Sequence, residues 1–217
     1  MKIKAVGFDF DGTLIVSEET KAKECANVFR EKFNRKRGIA TAYKKLTGRN
    51  RREKVVALFK QVMKRDAKRS ELKLVDEHFG KHYERSLKTC PLTACSNIIE
   101  ELSKQVDFMF LLSLENKKEV VKVAKHCGVA KYFKEILGGP TSKVDNLLHV
   151  LEKHKLKGPE VLYFGDAHSD VVASKKVKVK IALLGKNHKT KILKEDLKAD
   201  YLFDSLCDVP KDIKKFS

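Results

Sequence analysis

Ile3-Lys4-Ala5-Val6-Gly7-Phe8-Asp9-Phe10-Asp11-Gly12-Thr13-Leu14 opens the chain, and its reading decides the fold. Residues 3–8 form a short, mostly apolar run that stops at an acidic, glycine-containing turn, which suits a buried strand ending at a site. In a doubly wound sheet ligands bind beyond the carboxyl ends of the strands, so Asp9 and Asp11 are expected in that crevice. Their i, i+2 spacing lets a turning backbone direct both carboxylates toward one ligand, and Gly12 permits the turn without a Cβ clash. An ordinary Asp-Gly turn needs neither two acids nor an apolar strand feeding them.

Beyond this strand the pattern changes. Residues 17–88 contain no proline and carry apolar residues at helical spacing, among them Val55, Val56, Phe59, Val62 and Met63. Three or four amphipathic helices are expected there, separated near Lys36 to Gly38, Gly48 to Arg49 and Lys68 to Ser70. After Pro91 helices and strands alternate. Strands are predicted at 107–112, 135–137, 161–164, 179–183 and 201–203, and helices at about 93–104, 116–127, 142–154 and 168–175. Such alternation predicts an α/β fold, a doubly wound parallel sheet covered by helices on both faces. The run 175–181, Lys-Lys-Val-Lys-Val-Lys-Ile, reads as a strand with a lysine-rich face guarding an exposed sheet edge.

A second acidic cluster, Gly165-Asp166-Ala167-His168-Ser169-Asp170, again directly follows an apolar strand, Val161-Leu162-Tyr163-Phe164. Two distant strands thus end in carboxylates. Mg²⁺ takes oxygen ligands, usually one or two carboxylates with waters and substrate phosphate, which this set can supply. No His/Cys set accompanies the acids, which disfavours zinc, and His168 reads as a helix-start histidine.

Composition bounds the rest. With 42% apolar and 35% charged residues over 217 positions, the chain is globular and long enough for a core with a small insertion. The first apolar stretch meets Asp9 before a signal-peptide core could form, and the longest apolar runs fall far short of the ~20 residues that span a bilayer. A soluble, cytoplasmic protein without membrane association is expected. The five cysteines (25, 90, 95, 127, 207) fit no zinc signature, and their odd number suits reduced thiols. Lys+Arg outnumber Asp+Glu by 47 to 29, giving a net charge of +18. A basic surface attracts phosphorylated small molecules, nucleic acid or anionic membrane, or simply keeps the chain soluble. Without tryptophan, and with aromatics at 8% and not interleaved with the basic residues, no stacking platform for nucleic acid is read.

In this order the motifs resemble the haloacid dehalogenase-like superfamily, and within it the phosphoglycolate phosphatase and β-phosphoglucomutase group. The resemblance covers nearly the whole chain, including a helical insertion straight after the first motif. It implies that Asp9 is the nucleophile and Asp11 the general acid/base, that Asp166 ligates Mg²⁺ beside Asp9 and the main-chain carbonyl of Asp11, and that Asp170 supports the metal site. The second family motif, a Ser or Thr ending a hydrophobic strand, matches Ser113 as a phosphate-binding hydroxyl, with Leu114 where the group often has Asn. The third, a lysine near a helix start, matches Lys143, with Lys117 or Lys118 as the alternative. Residues 16–88 would be a small helical cap on a core of 1–15 and 89–217. In the turn Gly48-Arg49-Asn50-Arg51-Arg52, Arg49 would clamp an anionic leaving group through its guanidinium fork.

The function so implied is Mg²⁺-dependent hydrolysis of a small phosphate monoester through an aspartyl-phosphate, by a monomer or homodimer. Related dehalogenases lack an acid at the position of Asp11, which favours phosphoryl chemistry. A phosphosugar mutase on the same core, or a nucleic-acid-associated phosphatase using the basic surface, is the alternative.

Overall fold

The computed structural model describes residues 2–35, 37–46, 49–86, 92–185 and 198–216. It divides into two compact units, Met1–Val16 with Leu92–Ser217, and Ser17–Pro91. The boundary expected between residues 88 and 89 lies outside the described residues.

The first unit is built on a six-stranded sheet, parallel throughout, in the order β3-β2-β1-β4-β5-β6. Its strands are β1 (Ala5–Asp9), β2 (Phe108–Asn116), β3 (Glu135–Gly139), β4 (Val161–Gly165), β5 (Lys180–Leu184) and β6 (Tyr201–Phe203). The first strand in sequence is therefore central in space. The sheet is extended in opposite directions from β1, which brings the carboxyl ends of β1, β2 and β4 to the switch point where ligands bind in such sheets.

Both faces are covered, which is why the strands read as continuous apolar runs. On one face Ala5, Phe110, Leu112, Val161, Tyr163, Ile181 and Leu183 pack with Leu147 and Val150 of α7 (Lys143–Lys153) and with Val171 and Ala173 of α8 (His168–Lys176). On the other, Phe8 stacks on Phe164 with ring centroids 4.9 Å apart and meets Phe133 edge-on. Helix α6 (Lys117–His126) buries Val120, Val123 and Ala124 and packs along β2 and β3.

Three sequence expectations are corrected. The lysine-rich run 175–181 is not an edge strand: Lys175 and Lys176 end α8, Lys178 adopts φ 60° in the following turn, and β5 lies inside the sheet between β4 and β6. Asp200 secures the outer strand by donating its amide to the Ile181 carbonyl and accepting from the Ile181 amide on its carboxylate. The helix predicted from 93 shrinks to α5 (Ile98–Ser103), because the Thr93 amide and hydroxyl are drawn to the Leu14 carbonyl and Cys95 takes φ 60°. Nor are the thiols all reduced. Cys95 and Cys207, 112 residues apart, form a disulfide with Cα atoms 5.1 Å apart, Cys127 is also disulfide-bonded, and Cys25 is free and buried. Closing so long a loop stabilises a fold by about 4–5 kcal/mol in the chain-entropy account.

The second unit is helical: α1 (Glu18–Phe33), α2 (Ile39–Lys44), α3 (Arg51–Gln61) and α4 (Arg69–Ser86). Asn50 and Glu53 form a reciprocal capping box at the start of α3, and Phe29, Phe33 and Phe59 cluster with centroids 5.2–5.3 Å apart. Between α3 and α4, Arg65 grips Glu71 with both guanidinium arms at 2.9 and 2.7 Å while its fork lies over Phe59. That ion pair, aided by the Lys68 amide and opposed by partial burial, pulls the Glu71 carboxyl down to about 2. An acid with a depressed folded pKa stabilises the fold above its ordinary pKa and loses that contribution as pH falls toward 2. Glu71→Gln is therefore expected to cost about 1 kcal/mol near pH 7 and progressively less below about pH 4.5, read by urea melts across that window.

Candidate active site

Beyond Asp9 the chain turns sharply. The Gly12 amide donates to the Ile15 carbonyl at 2.9 Å, and the Leu14 and Ile15 amides both return to the Phe10 carbonyl at 3.0 Å. Gly12 sits at φ +91°, and a Cβ there would fall 2.3 Å from Asp166 Oδ2. Glycine is thus needed both for the left-handed turn and for the approach of the Asp166 carboxylate from the end of β4. Thr93 ties the loop from below, its hydroxyl donating to the Thr13 carbonyl at 2.9 Å and to the Leu14 carbonyl at 3.2 Å.

Six of the residues singled out in the sequence, Asp9, Asp11, Ser113, Lys143, Asp166 and Asp170, converge here. Lys143, the first residue of α7, is 7% exposed, and its ammonium donates to Asp9 Oδ1 at 2.6 Å and to Asp170 Oδ1 at 2.5 Å. Ser142 orients that helix start by accepting the Asp145 amide on its hydroxyl. Carboxylate oxygens of Asp9, Asp166 and Asp170 all lie within 4.8 Å of one another. Within β2, one residue beyond Leu112, which is in register with Asp9, the buried Ser113 hydroxyl donates to Asp11 Oδ2 at 3.2 Å and accepts the Glu115 amide at 3.0 Å. Lys117 and Lys118 are exposed at the start of α6, so the lysine on Asp9 is Lys143. His168 is exposed at the start of α8. Arg49, in the helical unit, is exposed just ahead of the Asn50 cap, and Gly48 lies outside the described residues.

The electrostatics expose a deficit of positive charge. Burial pushes the Asp9 carboxyl well above the usual carboxylate range; Lys143 opposes that shift, and Asp170 and Asp166 reinforce it. Burial and then Asp170 push Asp166 up to about 7. Burial alone would lower Lys143, but Asp170 and Asp9 hold its ammonium above the ordinary lysine range. One ammonium thus serves buried carboxylates that still repel one another. An all-oxygen donor set with unrelieved negative charge fits a hard divalent cation such as Mg²⁺. Asp170 differs from its neighbours, because Oδ1 already takes Lys143 and Tyr163 and Oδ2 takes the Ala167 amide at 3.0 Å. Asp9 and Asp166 are therefore the freer ligands. A cleft of about 230 Å³ opens on Asp166, with Gly12, Thr13, Thr93, Asp204 and Leu206 in its walls.

Sequence reasoning missed Tyr163. A tyrosine inside an apolar strand reads as core, and only its distance of two residues from the Gly165-Asp166 turn hinted at the site.

Residues 6–184 match the model of the haloacid dehalogenase-like hydrolases, and the chain belongs to that family. Over 82 residues it is 35% identical to a phosphoglycolate phosphatase of Vibrio parahaemolyticus, an alignment that spans 36% of this chain and 36% of that relative's length. Among solved structures it is similar to a predicted phosphoglycolate phosphatase of Haemophilus somnus, with TM-score 0.82, 22% identity and coverage of 96% of each chain. It is also similar to CbbY of Rhodobacter sphaeroides, solved with phosphate, with TM-score 0.77, 18% identity and coverage of 95% of this chain and 96% of that one. At these identities the structural likenesses speak to the fold. Among the described residues no helix is long and apolar enough to cross a membrane.

Proposed function

We propose that the protein is a Mg²⁺-dependent phosphatase that hydrolyses a small phosphate monoester, in the manner of a phosphoglycolate phosphatase, through an aspartyl-phosphate on Asp9. The observation that carries this reading is Lys143 bonded at once to Asp9 and Asp170 beside the Asp166 carboxylate. Uncatalysed phosphate monoester hydrolysis is among the slowest of reactions, so charge neutralisation and positioning must supply most of the acceleration.

Asp9 attacks phosphorus with one carboxylate oxygen as the bond to the leaving oxygen breaks, and Asp11 delivers its proton to that oxygen. Water then attacks the same phosphorus, Asp11 takes up a proton from it, and the bond to Asp9 breaks to release inorganic phosphate. Lys143 and the Ser113 hydroxyl neutralise the phosphoryl oxygens, and Asp170 keeps Lys143 in place. Asp9, Asp166 and the Asp11 carbonyl would hold Mg²⁺, which when bound supplies further charge neutralisation. The helical unit would act as a cap that reads the leaving group, with Arg49 as one contact for an anionic substrate.

Phosphate release from p-nitrophenyl phosphate tests the reading. Turnover is expected with Mg²⁺, to fall at least about 100-fold in excess EDTA, and to return when Mg²⁺ is restored. Undiminished turnover in chelator would show that the carboxylates serve some other purpose.

A further inference from the structure

Gly7 of β1 is in register with Phe110 of β2 on one side and Tyr163 of β4 on the other. Neighbouring residues in register share a face of a sheet, so these three form a row beneath α7 and α8. The middle position is empty of side chain. A Cβ on Gly7 would lie 2.2 Å from Phe110 Cζ, so the Phe110 ring occupies the space above Gly7 and reaches toward Tyr163. The two rings lie within 7° of parallel with centroids 6.3 Å apart. Tyr163 is wholly buried, and its hydroxyl donates to Asp170 Oδ1 at 3.1 Å.

A buried tyrosine hydroxyl needs some partner, and a main-chain carbonyl would serve. Here the acceptor is the carboxylate oxygen that also receives Lys143, while the other oxygen is fixed by the Ala167 amide. Three donors therefore set the orientation of Asp170, and Asp170 sets that of the ammonium it shares with Asp9. Loss of the tyrosine donor leaves the carboxylate free to rotate about its remaining bonds and to draw Lys143 off Asp9. We infer that Tyr163 is a positioning residue of the active site, aligned by the Phe110 ring that fills the side-chain-free position at Gly7, and that it acts through Asp170 on Lys143. This inference rests on the phosphatase reading above.

The test compares wild type, Tyr163→Phe, Asp170→Asn and the double variant on p-nitrophenyl phosphate at saturating Mg²⁺, well below each melting temperature. Tyr163→Phe is expected to lower kcat about 10-fold with KM within about twofold, the size of a lost hydrogen bond to a charged group. In the Asp170→Asn background the same change is expected to cost less than about twofold, because the group it acts through is already altered. A tyrosine that only filled the core would lower the melting temperature and leave kcat of the folded enzyme unchanged. Equal kcat in wild type and Tyr163→Phe, or the same loss in both backgrounds, overturns the inference. Should Asp170→Asn not fold, Phe110→Leu replaces it: an expected loss of about threefold in kcat should vanish in the Tyr163→Phe background, and a loss that persists there overturns the inference. Absence of Asp9-dependent turnover in wild type would instead overturn the phosphatase reading, and this inference with it.

Discussion

Asp9→Asn is expected to lower kcat by about 10⁴-fold or more while the circular dichroism spectrum stays native. On the proposed mechanism, asparagine keeps the size and hydrogen-bonding shape of the side chain but offers no carboxylate to attack phosphorus, and loss of a nucleophile removes a whole route. The same substitution should not weaken the fold. Burial, Asp170 and Asp166 together hold the Asp9 carboxyl above its ordinary range against the pull of Lys143, so an ionised Asp9 opposes folding at neutral pH. The melting temperature of Asp9→Asn is therefore expected to equal or exceed that of wild type. Near-normal turnover in a folded variant would remove Asp9 from the role of nucleophile.

Lys143→Ala is expected to damage both chemistry and stability. It leaves Asp9 and Asp170 buried and facing each other without the ammonium that bonds to both. Stripping one partner from a buried ionic cluster costs about 3–5 kcal/mol, and loss of a donor to the phosphoryl oxygens costs about 10²–10³-fold in kcat. The stability loss should depend on pH in a definite direction. With folded carboxyl pKa values raised, the penalty is present where the acids are ionised and is relieved as pH falls through those values. Urea melts at pH 7 and pH 5 should show a smaller gap from wild type at the lower pH. A gap that widens on acidification would mean that the lysine is not the counter-charge of these acids.

Much of the catalytic unit was legible because its signals are local. An apolar run that ends in acids fixes a strand and its carboxyl end, which makes Asp9 and Asp166 legible from the residues themselves, whereas Ser113 follows from the resemblance to the family's second motif. Lys143 is harder to read, since lysine is abundant in this chain, and only the folded structure shows its ammonium on Asp9. What stayed hidden depends on distant neighbours. Whether β5 is an edge is settled by a three-residue strand that follows it in the chain, and alternating lysines cannot report it. The link from Cys95 to Cys207 joins positions 112 apart, and cysteine spacing does not encode pairing. In the helical unit Arg49 drew attention for its position, whereas the structure buries Arg51 over Phe79 and Lys54 over Tyr43. Which of several neighbouring cations points inward is a matter of helix phase, and the phase is set by the Asn50 cap.

The root of the helical insertion has a consequence for how such a chain can change. Ile15 and Leu92 form an antiparallel bridge, and the Thr93 amide donates to the Leu14 carbonyl at 2.9 Å, so the chain leaves and re-enters the sheet-bearing unit at adjacent points. Among the described residues, Leu14, Ile15, Leu92 and Thr93, which make this closure, all belong to that unit. Length variation between the two anchor points therefore carries only a slowly growing loop entropy, about 0.6 kcal/mol for each doubling. The stretch between these anchors is therefore expected to tolerate lengthening, shortening or exchange for another segment with neighbouring ends while β1, β2 and β4 keep their register.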